Sequence, residues 1–360
     1  MSDGPSLREL GYSPRWEALF EPYAAQGLVP ARVIRGDRGS VLAATAHGVI
    51  RAKTSAGLLK SAGDASDLPV TGDWVALRID DIDTPVIEAV LERSGAITRG
   101  DAGKTSDIQV VAANIDTVFV VHPIAEAPNL RRIERELSVA WDSGALPVVV
   151  LTKEDLSADT DAARAAVQSV ALGAEVLVMN ALAGEGIEPV LEYLTDYRTA
   201  VLVGPSGAGK STLINALLGE ERQTTRAVRV SDGKGRHTTV SRELIMMPGG
   251  GLLIDTPGLR EVGLTGSAEG IVSAFPEIDE ASLSCRFRDC THTDEPGCAV
   301  LEALESGTLT PERLASYHKL IAEAQFAAAR TDARLRAEVD RKWKTISKAA
   351  KEYNKHHGRG

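Results

Sequence analysis

Gly204-Pro205-Ser206-Gly207-Ala208-Gly209-Lys210-Ser211-Thr212 satisfies G-x-x-x-x-G-K-[ST], the spacing of a loop built to hold phosphate. Its glycines let the backbone curl so that N–H groups face an anion. Lys210 adds a mobile positive charge and Ser211 a hydroxyl for Mg²⁺. Downstream, the apolar run GLLI ends in Asp255-Thr256-Pro257-Gly258, the D-x-x-G arrangement in which an Asp reaches Mg²⁺ and a glycine N–H senses the terminal phosphate. The polar stretch between them, roughly 221–240, ends in Gly235-Arg236-His237-Thr238-Thr239. Either Thr238 or Thr239 supplies the hydroxyl that would close over the metal.

Base recognition is written upstream of the phosphate loop. The run PVVVL leads into Thr152-Lys153-Glu154-Asp155, a T-K-x-D element. The Asp155 carboxylate would accept from guanine N1 and the 2-amino group, two donors that adenine lacks, while the Lys153 stem covers the base. A second run, EVLVM, ends in Asn180-Ala181-Leu182, followed by Gly184-Glu185-Gly186, and suits a backbone N–H directed at guanine O6. Because these elements precede the phosphate loop, the usual order of a GTPase is circularly permuted. A doubly wound sheet tolerates that, since its binding loops share one edge.

A third cluster follows. Cys285-x4-Cys290-x-His292-x5-Cys298 uses every cysteine in the chain and offers three thiolates and an imidazole, a closed tetrahedral set for one structural Zn²⁺. The residues between the ligands are polar, which argues against three unrelated core cysteines.

These residues need elements to position them. Residues 31–98 read as five short strands without a helix, ARVIRG, SVLAATA, GVIRAKT, GDWVALRI and VIEAVL, which fits an oligonucleotide-binding (OB) barrel and also an SH3-like one. From Thr117 apolar strands alternate with helical periods, the mark of an α/β domain with a parallel sheet. Beyond about 271 the chain reads as helical around the Cys/His cluster. The expected architecture is a multidomain α/β chain: an N-terminal extension over 1–27, a barrel over 28–100, a circularly permuted P-loop GTPase domain over 105–270, and a helical zinc-binding domain with a basic tail over 271–360.

At 360 residues and 43% apolar content the chain can bury several cores. No apolar run is long enough to span a membrane, and the start lacks a secretory leader, so a cytoplasmic protein with no membrane partner is expected. A net charge of −10 disfavours nucleic-acid binding by the whole molecule. Local patches remain: Arg32, Arg35, Arg38, Arg51, Lys53 and Lys60 against Asp37 and Asp64, and nine basic against four acidic residues over 331–360.

In combination and order, these motifs resemble the RsgA family of bacterial GTPases that depend on the small ribosomal subunit. The resemblance runs from about residue 28 to the tail and includes Thr71-Gly72-Asp73-Trp74-Val75 and Ala112-Ala113-Asn114-Ile115-Asp116. It implies binding to the small subunit and its rRNA late in maturation, with hydrolysis of GTP to GDP stimulated by that subunit; separately, a monomer is expected. Leu259 stands where many GTPases carry a water-orienting Gln, and the resemblance makes His237 the catalytic group in its place. Two other readings share the motifs: an RNA-binding switch whose hydrolysis only times release, and a GTP-driven zinc carrier, which closed four-ligand spacing disfavours.

Overall fold

The structure, a computed structural model, describes residues 4–80, 84–100, 108–219, 242–255 and 267–331. Helix α1 (Pro14–Ala24) starts on a proline, whose fixed φ suits a first turn, and buries Trp16 and Phe20 one turn apart. Strands β1 (Val29–Asp37), β2 (Ser40–Thr45) and β3 (Gly48–Thr54) form an antiparallel meander. Helix α2 (Ala56–Ser61) follows, capped by the Ser55 side chain accepting from Leu58 N at 3.1 Å. Strands β4 (Trp74–Arg78) and β5 (Val86–Val90) complete the set.

The pairings close a ring in the order β1-β2-β3-β5-β4-β1, antiparallel throughout except for β3 with β5. That parallel pair is what an OB barrel has and a simple up-and-down barrel lacks, so the OB alternative holds. The expectation of five strands without a helix is corrected: α2 lies between β3 and β4, and its Leu58 packs against the barrel's inner core. Six residues are too few to leave a helical period in the sequence. The inner core is small, with Ala31, Val33, Val41, Ala43, Val75 and Leu77 at alternate strand positions.

Strands β6 (Ala96–Gly100) and β7 (Ile108–Ala113) pair with each other in a separate sheet. The α/β unit then runs β8 (Thr117–Pro123), α3 (Leu130–Asp142), β9 (Leu146–Thr152), α4 (Thr160–Gln168), β10 (Glu175–Val178), α5 (Glu188–Glu192), β11 (Thr199–Val203), α6 (Lys210–Leu218), β12 (Glu243–Met246) and β13 (Leu252–Asp255). Its strand order is β10-β9-β8-β11-β13-β12, parallel except for β12. Strand β12 also pairs with β1, so barrel and nucleotide sheet form one continuous eleven-stranded sheet.

Alternation along the strands splits the core. Val118, Val120, Val149 and Val201 pack with α3 and α4 on one face; Phe119, Val121, Val148 and Leu202 pack with α5 and α6 on the other. Strands β8 and β11 are neighbours whose following helices leave to opposite faces. The crevice between them is the topological switch point at which such sheets bind ligands.

Four helices end the described chain: α7 (Ala268–Ala274), α8 (Pro276–Ser282), α9 (Ala299–Glu305) and α10 (Pro311–Thr331). They are fastened to α3. At Gly270 a Cβ would lie 2.5 Å from Ser138 O, so only glycine lets α7 approach this closely. Arg313 of α10 is buried, donates to Glu134 of α3 at 2.8 Å and to Glu277 of α8 at 2.5 Å, and stacks on Phe275 at 4.0 Å. Ser316 donates to the other Glu134 oxygen. Among the described residues no helix is long and apolar enough to cross a membrane.

Arg32 joins the pieces. Expected on a solvated basic patch, it is instead fully buried. Its Nε donates to Gly72 O at 3.2 Å and one Nη to Leu10 O at 2.5 Å; the other Nη donates to Asn114 O at 3.3 Å and Thr199 Oγ1 at 2.8 Å. Burial pushes its pKa down to about 10 and Asp116 and Asp73 pull it back up, so it is charged at neutral pH. Its acceptors belong to the N-terminal segment, the turn before β4, the linker after β7 and the first residue of β11. Gly72, at φ +98°, is where a Cβ would lie 2.1 Å from Ala113 O. Asp73 is gripped by Arg93 through two bonds of 2.7 Å, and Trp74 packs edge-on to Tyr12 at 4.9 Å. Of the remaining patch, Arg38, Lys53 and Lys60 are exposed, and Arg35 and Arg51 pair with Asp37.

Arg32→Ala would orphan these acceptors inside the protein and is expected to cost about 3–5 kcal/mol in urea unfolding. Arg32→Lys should recover little, because one ammonium cannot span the positions the planar fork reaches. A midpoint within experimental error of wild type for either variant would contradict this account of the joint.

Candidate nucleotide site and metal cluster

The phosphate loop lies where the sheet requires it, between β11 and α6. Gly204 has φ +140°, and a Cβ there would meet Val121 O of β8 at 2.1 Å, so the loop can leave the sheet only through glycine. Gly207 and Gly209 are also left-handed, at φ +78° and +91°. Lys210 Nζ donates to Gly204 O and Pro205 O at 2.7 Å each, folding back over the loop it is meant to serve. Ser206 and Ser211 are exposed. Asp255 ends β13, half-buried; burial raises its carboxyl pKa and the Lys210 charge lowers it, with burial the larger effect. A desolvated carboxylate at the end of its strand, within reach of the Lys210 charge, offers oxygen ligands of the kind that suit a hard cation such as Mg²⁺.

The base loops meet the phosphate loop directly. Thr152, buried at the end of β9, donates through Oγ1 to Ala208 O at 2.5 Å, with His122 O at 3.3 Å as a second acceptor. Threonine thus ties the base element to the phosphate loop with a hydroxyl. Lys153 is left-handed at φ +61°, which turns the chain into a short 3₁₀ turn carrying Glu154 and the exposed Asp155. At the end of β10, Asn180 and Glu185 exchange backbone bonds of 3.0 and 3.1 Å, and Asn180 Oδ1 accepts from Ala183 N at 3.3 Å, shaping the turn that holds Ala181. Gly186 is required there, because a Cβ would lie 2.6 Å from Val178 O. His237, Thr238, Thr239 and Gly258 lie outside the described residues.

Sequence reasoning missed the support behind Thr152. His122, buried at the end of β8, pairs through Nε2 with Glu136 of α3 at 2.6 Å, and Arg132 donates to the other oxygen of Glu136 at 3.1 Å. This fixes the strand end whose carbonyl faces Thr152. The only sequence signal was a polar residue ending an apolar strand opposite an acid on a helix, which by itself is common.

The Cys/His set converges as expected. Cys285, Cys290, His292 and Cys298 bring their ligand atoms within 4.8 Å of one another. Cys285 Sγ lies 3.8 Å from Cys298 Sγ and 3.7 Å from His292 Nδ1, and Cys298 Sγ lies 3.5 Å from that nitrogen. A tetrahedral zinc with ordinary bond lengths would set S···S near about 3.8 Å and S···N near about 3.6 Å. The cluster therefore fits a metal ion of that size and geometry. Glu295 accepts from the loop's amides, which holds its carboxyl well below the usual range, with the Thr291 hydroxyl contributing most.

A sequence profile of the family described as RsgA GTPase matches residues 90–265. The chain is 47% identical over 357 residues to a Streptomyces coelicolor protein named small ribosomal subunit biogenesis GTPase RsgA, covering 98% of this chain and 96% of that one. A protein of the same name from Opitutus terrae is 45% identical, with 95% and 96% covered. Among solved structures, YjeQ from Thermotoga maritima superposes with a TM-score of 0.61 at 27% identity, over 82% of this chain and 98% of that one. YloQ, described as a circularly permuted GTPase, shares the fold at 23% identity and a TM-score of 0.59, over 83% of this chain and 95% of that one.

Thr152→Val keeps the shape of the side chain and leaves Ala208 O buried without its donor. Such a loss is worth about 1–3 kcal/mol, so a fluorescent GTP analogue should bind roughly five- to a hundredfold more weakly. Wild-type affinity would mean that the two loops hold their relative position without this bond.

Proposed function

The chain belongs to the RsgA GTPase family, and from that premise we propose that it is a GTP hydrolase of small-ribosomal-subunit biogenesis whose guanine and phosphate loops form one site at the β8/β11 crevice. The observation that carries this reading is the Thr152 hydroxyl bonded to Ala208 O, which supports reading the permuted base element as part of the nucleotide pocket. Asp155 selects guanine, Lys153 covers the base, Glu154 belongs to the same turn, and Asn180 and Ala181 close the O6 side. The backbone from Gly204 to Gly209, with Lys210, Ser211 and Thr212, holds the phosphates. Asp255, Ser211 and Thr238 or Thr239 would hold Mg²⁺, and Gly258 faces the terminal phosphate. Mg²⁺ bound by these residues would supply neutralisation of phosphate charge. Cys285, Cys290, His292 and Cys298 would hold one zinc ion in a structural role, since four protein ligands would leave no position for substrate.

The partner is the small subunit and its rRNA, approached by the barrel through Arg38, Lys53 and Lys60 and by the basic tail. The protein acts as a cytoplasmic monomer. The functional units are an extension to residue 27, a barrel over 28–100, a nucleotide domain over 105–270 and a zinc domain over 271–360. His237 orients the attacking water in place of the Gln that Leu259 replaces.

GTP turnover with and without purified small subunits tests the reading, and a rate indifferent to subunits would overturn it. Stimulation in GTPases is worth roughly 10³–10⁵ in rate. His237→Ala should lose most of the stimulated rate with GTP affinity near normal, because a water-positioning group acts in the transition state. Lys210→Ala should damage both. Full stimulated turnover in His237→Ala would remove the catalytic role from His237. In a separate competition assay, Asp155→Asn should weaken GTP and favour xanthosine triphosphate, whose 2-oxo group accepts from an amide; an unchanged preference for GTP would refute the base-site assignment.

A further inference from the structure

Glu295 is not one of the four clustered ligands, yet its carboxylate gathers the loop that carries two of them. Oε1 accepts from Thr291 N at 2.8 Å and from the Thr291 hydroxyl at 2.5 Å. Oε2 accepts from Thr293 N at 3.0 Å and Asp294 N at 3.2 Å. Three amides within four residues thus converge on one anion, the kind of concave amide set that binds anions in many loops.

Between the first two of those amides lies His292. Its φ is +58°, a left-handed conformation that a side-chain-bearing residue rarely adopts and that persists only where its surroundings enforce it. This conformation accompanies the inward placement of the ring: His292 is buried and its Nδ1 is 3.5 Å from Cys298 Sγ. Nothing in ligand spacing demands a carboxylate here. The amides on both sides of the strained residue are nevertheless bound to the same one. The opposite side of the loop is tied separately, since Thr291 O accepts from His318 Nε2 of α10 at 3.1 Å.

We propose that Glu295 is a positioning residue of the metal site: its charge fills the amide cradle, holds His292 in the left-handed conformation and aims Nδ1 at the thiols before the metal arrives. This rests on reading the cluster as a zinc centre. Substituting Glu295 should affect the fourth ligand more than the three thiolates.

The test uses the full-length protein, titrated with Zn²⁺ against a chromophoric chelator and with Co²⁺ by absorption spectroscopy. Glu295→Ala should weaken zinc about 10–100-fold, the usual range for loss of a group that orients ligands. Its cobalt form should keep thiolate-to-metal charge transfer while the d–d bands move toward those of His292→Ala, in which the nitrogen ligand is gone. Glu295→Gln, which keeps carbonyl acceptance without charge, should fall between. GTP-analogue affinity, expected to be unchanged in Glu295→Ala and Glu295→Gln, verifies the fold. Glu295→Ala with wild-type zinc affinity and d–d bands would overturn the proposal. So would equal weakening with the nitrogen signature retained, which would make Glu295 a general stabiliser of the loop. Wild-type protein binding neither metal would instead defeat the zinc reading itself.

Discussion

One guanidinium holds this molecule in register. Arg32 is buried among carbonyls of Leu10, Gly72 and Asn114 and the hydroxyl of Thr199, and so links the N-terminal segment, the barrel, the linker and the strand that ends in the phosphate loop. A buried charge held mainly by neutral acceptors costs desolvation, which is offset only where the guanidinium finds several well-placed acceptors in fixed geometry. That requirement runs both ways. The pieces must meet at this spot for Arg32 to be satisfied, and Asp116 reinforces the meeting by accepting from Thr199 N at 2.7 Å. Small residues around it follow from the same constraint, with Gly72 pressed against Ala113 O.

Helix α3 plays the corresponding part at the other end. It carries two buried acids two residues apart. Glu136 turns toward His122 and the nucleotide edge, and Glu134 toward Arg313 and Ser316 of α10. The same helix therefore braces the base loop and anchors the C-terminal helices. Tyr317 and His318, one turn along α10, reach the Cys/His loop, where the Tyr317 ring lies tilted beside His292 with centroids 6.4 Å apart and His318 binds Thr291 O. The metal cluster is thereby seated on the nucleotide domain through side chains that also belong to its core.

What could be read from the sequence was chemistry confined to short stretches. The phosphate loop, T-K-x-D, D-x-x-G and the Cys/His spacing carry their meaning within a few residues, and strand alternation from Thr117 onward announces the sheet. Contacts between distant stretches carried no such mark. Arg32 read as one cation among six; Trp16 and Phe20 read as part of an extension, although they bury against Trp74 and the common core. Glu295 stayed hidden inside a motif that was recognised, because its partners are backbone amides and every residue but proline has one. Helix α2 escaped because six residues cannot display a period.

The strand order bears on how such a chain is made. Strand β8 emerges from synthesis first in the nucleotide sheet, β9 and β10 extend it on one side, and β11 begins the other, so none of these must be inserted between two strands already paired. The exception is the β12–β13 hairpin, closed by Met247 N donating to Gly251 O at 2.7 Å, which arrives last and must fill the gap between β11 and the finished barrel. Because domains tend to fold as they appear, the loops that follow β9 and β10 can be in place while this slot is open. The hairpin is then the keystone: β13 brings Asp255 to the edge beside the phosphate loop by pairing with β11, and β12 joins the same hairpin to β1 of the barrel.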